Sequence, residues 1–291
     1  MSAVPSAANE EGPLAVVCGG GSLPLTVADK VARSGRPVLL FPLRGAAEGL
    51  AVERFPHHWV HLGQFGKFLR IARAAGCREV VFIGSLVRPS LWQVRPDFKG
   101  LGILHRAFAA YRGGDNHLLS SMGKVLEEEG FHLLGAHEVV PDILVPAGAL
   151  GQAQPSENDR ADIALGLDYL HTAGKFDIGQ AVVVSGRHVL AVEAAEGTDA
   201  MLARVADMRA NGRVRTRPGT GTLVKAPKPA QDRRFDLPSI GPATVEGAVR
   251  AGLAGIAVVA DSTIVAEPAR LIESANRAGI FVVGVPFGTG S

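Results

Sequence analysis

The densest chemistry in this sequence lies in one short segment near residue 230, where cations and carboxylates are interleaved with prolines. The cations are Lys225, Lys228, Arg233 and Arg234, and the carboxylates are Asp232 and Asp236. A proline fixes φ and removes a backbone donor, so Pro227, Pro229 and Pro238 exclude a continuous helix. From Gly212 to Arg234 the chain has seven basic residues and one acidic residue. This composition is typical of an anion-binding surface that carries a carboxylate, and it favours chemistry on a phosphate.

The spacing within this segment suggests individual roles. Lys225 ends a predicted strand over Thr222–Lys225, and Lys228 follows a proline-fixed extended dipeptide, so both ammonium groups could reach one diphosphate. Asp232 and Asp236 share a face in either a helix or a strand. Proximity and desolvation are expected to raise the pKa of such a carboxylate, which favours a general base or a shared cation. A surface salt-bridge network with the two arginines is the alternative.

A second group of carboxylates, Glu193, Glu196 and Asp199, follows a predicted strand. Oxygen-rich clusters at the carboxyl end of a strand suit Mg²⁺ that is held beside a substrate phosphate. We therefore predict Mg²⁺ as the cofactor, with Glu196, Asp199 and Asp232 as its ligands. The alternative is that Thr198 or Asp199 caps the following helix.

A glycine turn with the sequence GGGSLP, residues Gly19–Pro24, follows an apolar strand and opens a helical pattern. Glycines at such a turn let backbone N–H groups approach an anion, which predicts substrate contacts from Gly20, Gly21, Ser22 and Leu23. An ordinary strand-to-helix turn is the alternative. NAD binding is not predicted, because a proline replaces the third glycine of the dinucleotide fingerprint and the ribose-binding acid is missing.

Two further turns carry polar side chains. Ser85 and Arg88 follow the predicted strand Glu79–Ile83, so Ser85 is predicted to donate a hydrogen bond to a phosphate and Arg88 to pair with it. Arg88 as a solvated loop cation is the alternative. Asp115 and Asn116 precede a predicted helix, where one of them is a natural N-cap and the other is predicted to face the substrate.

The first half of the chain alternates apolar strands with helical patterns. Its predicted strands are Leu14–Cys18, Pro37–Phe41 and Glu79–Ile83, and its predicted helices are Leu23–Arg33, Gln64–Ala75, Gly102–Tyr111 and His117–Glu129. This order is typical of a doubly wound α/β fold with a parallel sheet, which binds ligands at the carboxyl ends of its strands. We predict an N-terminal Rossmann-like nucleotide-binding domain over residues 1–140.

The second half repeats the alternation after residues 141–158, a stretch rich in Gly, Pro, Ala and Gln that predicts a linker. The predicted helices are Asp159–Thr172, Asp199–Asn211, Thr244–Ala251 and Pro268–Ala278, and the predicted strands are Ala181–Ser185, His188–Glu193, Thr222–Lys225, Ile256–Val259 and Ile280–Val283. We predict a C-terminal catalytic α/β domain over residues 159–291, with the site in the cleft between the two domains.

Composition limits the class of protein. The 291 residues suffice for one large or two ordinary domains, and 47% hydrophobic with 20% charged residues is typical of a soluble globular chain. No apolar run approaches the roughly 18 residues of a membrane span, and the N-terminal residues lack the features of a secretory signal. Two cysteines fit a reducing cytoplasm. A net charge of +2 does not favour general nucleic-acid binding.

Six motifs occur in order from about Leu14 to the C-terminus: GGGSLP, GSLVRP, GDNHLL, GQAVVV, AVEAAEGTDAM and LVKAPKPAQDRRFDLPSIGPATV. Together they resemble the LpxI-type UDP-2,3-diacylglucosamine pyrophosphatases of lipid A biosynthesis. The resemblance implies two domains and a Mg²⁺-stimulated hydrolysis of UDP-2,3-diacylglucosamine to UMP and 2,3-diacylglucosamine 1-phosphate, with water attacking the β-phosphorus. The family's essential aspartate lies in a QDxRxD motif, which implies Asp232, with Asp236 as the second candidate, to orient or deprotonate the water or to hold the metal.

The residues and the resemblance agree on the remaining roles. Lys225, Lys228 and Arg233 are predicted to offset the charge that develops on the diphosphate, which is usually the dominant contribution in phosphoryl transfer. Thr198 and Gln231 are predicted to contact the substrate as well.

The predicted partner is a lipid-linked UDP-sugar, collected during transient contact with the inner-membrane surface. The protein is accordingly predicted to be cytoplasmic, peripheral to the cytoplasmic face of that membrane; we also allow for a homodimer and predict no nucleic-acid partner. Two alternatives stay open. One is another sugar-nucleotide enzyme on the same α/β domain, and the other is a non-catalytic protein that binds a phospholipid or a nucleotide sugar.

Overall fold

The computed structural model describes residues 12–85, 95–97, 100, 115–176, 178–229 and 231–286, apart from the side chains of residues 115–121. It forms two compact units. The first comprises the chain up to Pro141 together with Asp232–Asp236, and the second comprises Asp142–Gln231 and the chain from Leu237 onward. Both are α/β, which confirms the predicted fold class.

The first unit is built on a parallel sheet. Its strands are β1 (Leu14–Cys18), β2 (Val38–Pro42), β3 (Glu79–Ile83) and β4 (His132–Leu134), and its helices are α1 (Leu23–Arg33), α2 (Phe65–Ala74), α3 (Asp115–Glu128) and α4 (Ala136–Val139). The order in the sheet is β2-β1-β3-β4, with every pairing parallel. β1 and β2 are buried along their whole length, as expected for continuous apolar strands that are covered on both faces.

This strand order positions the candidate residues of the first unit. The chain leaves β1 for β2 on one side and then returns to form β3 on the other side of β1. In doubly wound sheets such a reversal opens a crevice at the carboxyl ends of the two strands that flank it. The crevice therefore lies after Cys18 of β1 and after Ile83 of β3.

The second unit is built on a mixed sheet. Its strands are β5 (Gly148–Ala149), β6 (Ala181–Ser185), β7 (His188–Val192), β8 (Thr222–Lys225), β9 (Ser239–Ile240), β10 (Gly255–Val259), β11 (Ile264–Val265) and β12 (Phe281–Val285), and its helices are α5 (Glu157–Ala173), α6 (Gly197–Ala210), α7 (Pro242–Arg250) and α8 (Pro268–Ala278). The main sheet has the order β5-β12-β10-β8-β6-β7, and β9 pairs with β11 separately.

Strand direction in this sheet brings three chain segments to one edge. β6 is antiparallel to both β7 and β8, with Ala181 opposite Lys225. β7 and β8 therefore run in the same direction, and their carboxyl ends lie at the same edge as the start of β6. Lys225, Glu193 and Thr198, the candidate residues of the second unit described below, lie at or near this edge.

Six predicted elements have the bounds that the structure shows. The predicted bounds are the observed ones for Leu14–Cys18, Leu23–Arg33, Glu79–Ile83, Ala181–Ser185, Thr222–Lys225 and Pro268–Ala278. The predicted helix over Gly102–Tyr111 lies outside the described residues. Residues 141–158, predicted to be a linker, contain a short 3₁₀ helix, Pro141–Ile143, and strand β5, which pairs with β12.

No helix in the described ranges combines the length and the apolar character needed to cross a membrane.

Candidate active site

The glycine turn after β1 is fastened to the turn after β3. The Gly20 N–H group donates to the Ser85 carbonyl oxygen at 2.8 Å, and the Ser85 N–H group donates to the Gly20 carbonyl oxygen at 2.9 Å. Both turns need glycine for this approach. A Cβ atom on Gly20 would lie 2.8 Å from the Ala46 carbonyl oxygen. A Cβ atom on Gly84 would lie 2.7 Å from the Gly20 carbonyl oxygen, and the φ angle of Gly84, +104°, also favours glycine. The bridge fixes the backbone at the carboxyl ends of β1 and β3.

The bridge also changes which amides can meet an anion. The N–H groups of Gly19 and Gly20 donate to the carbonyl oxygens of Ile83 and Ser85, respectively. The Gly20 amide is therefore already hydrogen-bonded within the protein and is not a donor for a ligand. Within the described part of the chain, the N–H groups of Gly21 and Leu23 have no acceptor. The predicted anion contact of this turn thus falls to the amides that open α1, where the helix dipole favours negative charge.

The other residues predicted near this crevice are described to different extents. Ser85 and Ser22 are exposed, as contacts with a ligand require. Arg88 lies outside the described residues. Asp115 and Asn116 are the first described residues of α3, and their side chains belong to the part that is not described.

Asp232 is clamped by an arginine two residues further along the chain. Its Oδ1 accepts from the Arg234 backbone N–H at 3.1 Å and from Nε at 3.0 Å, and its Oδ2 accepts from Nη2 at 2.8 Å. Arg234 also donates from Nη1 to Glu127 Oε1 at 2.8 Å. Phe235 anchors the same turn, with its ring centroid 5.4 Å from that of Phe82. These contacts place Asp232–Asp236 firmly on the first unit.

This clamp sets the charge of Asp232. The side-chain hydrogen bonds from Arg234 hold the pKa of the Asp232 carboxyl below its ordinary value and outweigh the opposing effect of partial burial. The expectation of a raised pKa at Asp232 is therefore wrong, because the arginine, and not a second carboxylate, controls its surroundings. Asp236 is exposed. An ionised, oriented carboxylate is suited to positioning water or attracting a cation more than to holding a proton.

His137 was not singled out by the sequence, and it lies beside this segment. Burial lowers the pKa of His137, and the charge of Arg233 lowers it further. Its Nδ1 is buried and has no hydrogen-bond partner among the described residues. The predicted substrate contact Arg233 is itself exposed. No spacing in the sequence links these two residues, because the connection arises only when the turn packs against the end of β4.

Lys225 is a buried cation in the second unit. Its side chain is 5% exposed, and Nζ donates to Thr198 Oγ1 and to the Ser239 carbonyl oxygen, each at 3.0 Å. Thr198 Oγ1 donates in turn to Glu193 Oε1 at 3.1 Å. Glu193 Oε2 accepts from the Gln180 N–H group at 3.1 Å. The Lys225–Thr198–Glu193 chain therefore links a buried ammonium group to a buried carboxylate through one hydroxyl.

Strand direction explains why these residues meet. Lys225 ends β8, Glu193 follows β7, and Thr198 lies in the first turn of α6. The alternative in which Thr198 or Asp199 caps α6 is wrong, since Glu196 occupies the N-cap position and α6 begins at Gly197. The Thr198 hydroxyl is directed instead to the lysine and the glutamate.

Of the two predicted metal ligands of this unit, Glu196 is held by protein partners and Asp199 is exposed. Glu196 Oε1 accepts from Arg204 Nη2 at 2.6 Å, and Oε2 accepts from the Ala194 N–H group at 3.1 Å. Its own backbone N–H, Arg204 and Ala194 together hold the pKa of Glu196 below its ordinary value. Asp199 is exposed in the first turn of α6, where the helix dipole favours it. In the described ranges, no three His, Cys, Asp or Glu side chains are grouped so that they could hold a metal ion.

Lys228 and Gln231 form a closed turn after β8. The Lys228 N–H group donates to Gln231 Oε1 at 2.9 Å, and Gln231 Nε2 lies 3.4 Å from Gln180 Oε1. Gln231 is buried, whereas Lys228 is partly exposed. Gln231 therefore shapes the turn that presents Lys228.

Comparison with known proteins covers both units. Residues 13–143 match the family model of the LpxI N-terminal domain, and residues 146–283 match that of the LpxI C-terminal domain. The chain is 43% identical over 272 residues to the UDP-2,3-diacylglucosamine pyrophosphatase LpxI of Caulobacter vibrioides. This similarity covers 94% of the chain and 97% of that relative.

The clamp on Asp232 predicts a specific pH dependence. A carboxyl with a depressed folded-state pKa stabilises the fold above its unfolded-state pKa, and this contribution is lost as the pH falls through the folded-state value. Replacing Arg234 by Met should therefore raise the pKa of Asp232 and lower the free energy of unfolding at neutral pH, with the deficit vanishing in acid. Carboxyl NMR titration and urea unfolding measure both effects. Arg233→Met is the matched control, and titration of wild-type Asp232 at or above the ordinary value of 3.8 would contradict the clamp.

Proposed function

The chain belongs to the LpxI family, and we propose that it hydrolyses the diphosphate of UDP-2,3-diacylglucosamine in lipid A biosynthesis. The products are UMP and 2,3-diacylglucosamine 1-phosphate. Water adds its oxygen to the β-phosphorus, the bond from that phosphorus to the bridging oxygen breaks, and UMP leaves with the bridging oxygen. The observation that carries this proposal is the identity of 43% to a UDP-2,3-diacylglucosamine pyrophosphatase along almost the whole of both chains.

Lys225 is proposed to stabilise the charge that develops on the diphosphate. Its ammonium group is buried and oriented by Thr198 and Ser239, so little reorganisation is needed when that charge forms. Oriented charges in a site from which water is excluded are usually the largest contribution to phosphoryl transfer. Lys228 and Arg233 are proposed to add further positive charge from more exposed positions.

Asp232 is proposed to orient the attacking water and accept its hydrogen bond. The lowered pKa keeps this carboxylate ionised at neutral pH, and the three hydrogen bonds from Arg234 fix its plane. Asp236 remains the second candidate for this role. The glycine turn and Ser85 are proposed to bind the nucleotide part of the substrate, with the amides of Gly21 and Leu23 as donors.

Mg²⁺ is proposed to accompany the diphosphate into the site. Glu196 and Asp232 are each paired with an arginine, and no three His, Cys, Asp or Glu side chains of the described residues are grouped to hold an ion, so these residues do not form a preformed metal site. Mg²⁺ commonly binds through one or two carboxylates together with substrate phosphates. Bound in this way, the ion would supply charge neutralisation on the phosphate oxygens.

The substrate carries acyl chains, so we propose transient contact with the cytoplasmic face of the inner membrane and a cytoplasmic location. Homodimerisation stays a prediction from the sequence.

Replacing Asp232 by Asn should lower the rate of UMP release from UDP-2,3-diacylglucosamine by about a hundredfold or more, the scale on which oriented catalytic groups act. Asp168→Asn is the matched control, because Asp168 is an exposed aspartate on α5, and its rate should equal that of the wild type. Absence of UMP from the wild-type reaction would overturn the proposed function. A folded Asp232→Asn variant with full activity would move the role to Asp236.

The same assay tests the role of Lys225 in a variant in which Lys225 and Glu193, the two charged ends of the Lys225–Thr198–Glu193 chain, are neutralised together. Lys225→Met with Glu193→Gln avoids leaving one buried charge without its partner, which is the main cost of breaking such a pair. The double variant should keep a cooperative thermal transition and lose most of the activity. Retained activity would remove Lys225 from the mechanism.

Mg²⁺ binding should depend on a diphosphate ligand. Isothermal titration of the protein alone should show weak binding, because Glu196 and Asp232 are already paired with arginines. Titration in the presence of UDP should show clearly tighter binding after the binding of Mg²⁺ to UDP alone is subtracted. Removal of Mg²⁺ by EDTA should suppress UMP release, and added Mg²⁺ should restore it. Equal binding with and without UDP would contradict entry of the ion with the substrate.

A further inference from the structure

An exposed apolar loop follows helix α5. It comprises the short 3₁₀ helix Gly174–Phe176 and Ile178, and Asp177 between them lies outside the described residues. Phe176 is 67% exposed and Ile178 is 36% exposed. The Lys175 ammonium nitrogen lies 5.1 Å from the centroid of the Phe176 ring. The other exposed large hydrophobic side chains of the described residues are Val189 and Val249, one on β7 and one on α7. Single exposed apolar residues are ordinary, whereas two within one short loop beside a cation form a distinct surface.

This loop borders the catalytic edge of the second unit. A Cβ on Gly174 would lie 2.4 Å from Pro229 Cδ, so the loop packs directly against the turn that presents Lys228. At its other end, the Gln180 carbonyl oxygen accepts from the Ala226 N–H group at 3.1 Å. Ala226 immediately follows Lys225. The exposed apolar loop and the proposed diphosphate-binding residues therefore lie at the same edge of the sheet.

The chemistry of the loop fits a membrane surface. An aromatic ring and an aliphatic side chain gain free energy on leaving water for the acyl region, in proportion to the apolar area buried. A lysine on a flexible stem keeps its ammonium group at the headgroup level, within reach of the lipid phosphates. Asp177 in the same loop balances this charge, so the loop has no net charge and its contact rests on the apolar side chains. A contact made by two apolar side chains is weak and reversible, as an enzyme that collects a lipid and leaves again requires.

We propose that the exposed apolar loop docks onto the surface of a phospholipid bilayer, with Phe176 and Ile178 inserted below the headgroups and Lys175 at their level. This inference rests on the proposed function, because the acylated substrate resides in the bilayer. Docking of the loop would bring the neighbouring diphosphate-binding residues close to that substrate. Its occupant is the bilayer itself.

Vesicle flotation tests the docking directly. With phosphatidylcholine vesicles that contain about a quarter phosphatidylglycerol, the wild-type protein should float with the lipid, and Phe176→Ser should reduce the bound fraction about tenfold. Val249→Ser is the matched control, since it removes a similarly exposed apolar side chain from α7, and its binding should equal that of the wild type. Lys175→Gln should weaken binding to these vesicles more than binding to pure phosphatidylcholine.

Three outcomes would overturn the docking: no flotation of the wild type, unchanged flotation of Phe176→Ser, or an equal loss in Val249→Ser. Thermal unfolding of each variant confirms that it is folded. UMP release from substrate dispersed in detergent micelles separates this inference from the proposed function. Flotation without UMP release would remove the function alone, and UMP release without flotation would remove the docking alone.

Discussion

The site of the second unit depends on one buried charge, the ammonium group of Lys225. Removing such a group from water costs several kcal/mol unless hydrogen bonds and an opposite charge replace the solvent. Thr198 and the Ser239 carbonyl oxygen supply the hydrogen bonds, and Glu193 supplies the negative charge through the threonine hydroxyl. This requirement ties the end of β8 to the end of β7 and to the first turn of α6.

In the first unit a negative charge, the carboxylate of Asp232, is held in a similar way. Asp232 is held by Arg234, which is itself paired with Glu127, and Phe235 fixes the turn in the apolar core. Both charges proposed to act in catalysis are therefore oriented before substrate arrives. Such preorganisation is what makes charged groups effective in phosphoryl transfer, because no reorganisation is needed as the reaction proceeds.

The sequence predicted the long elements and the position of the chemistry. Strand β1 and helix α8 have unambiguous apolar patterns, and their predicted bounds are the observed ones. Short elements such as β5 have only two residues, and no periodicity can show in so short a run. The parallel sheet and its glycine turn could be predicted because both are local patterns.

The partners of the site residues could not be read from spacing. Glu193 is linked to Lys225, through Thr198, only because β7 runs in the same direction as β8. Glu196 pairs with Arg204, about two turns into α6. A salt bridge between Asp232 and the arginines was the alternative that the sequence left open, and the structure contains the pair with Arg234. The direction of the Asp232 pKa shift was missed because the bidentate geometry of this pair is a property of the folded turn.

Water can attack a diphosphate at either phosphorus atom. The oxygen of the attacking water remains on the phosphate that was attacked, so the products show which phosphorus reacted. Hydrolysis of UDP-2,3-diacylglucosamine in ¹⁸O-labelled water, followed by mass spectrometry of both products, therefore tests the proposed reaction most directly. We expect one ¹⁸O atom in 2,3-diacylglucosamine 1-phosphate and unlabelled UMP. Label in UMP would contradict attack at the β-phosphorus, and the absence of both products would contradict the hydrolysis itself.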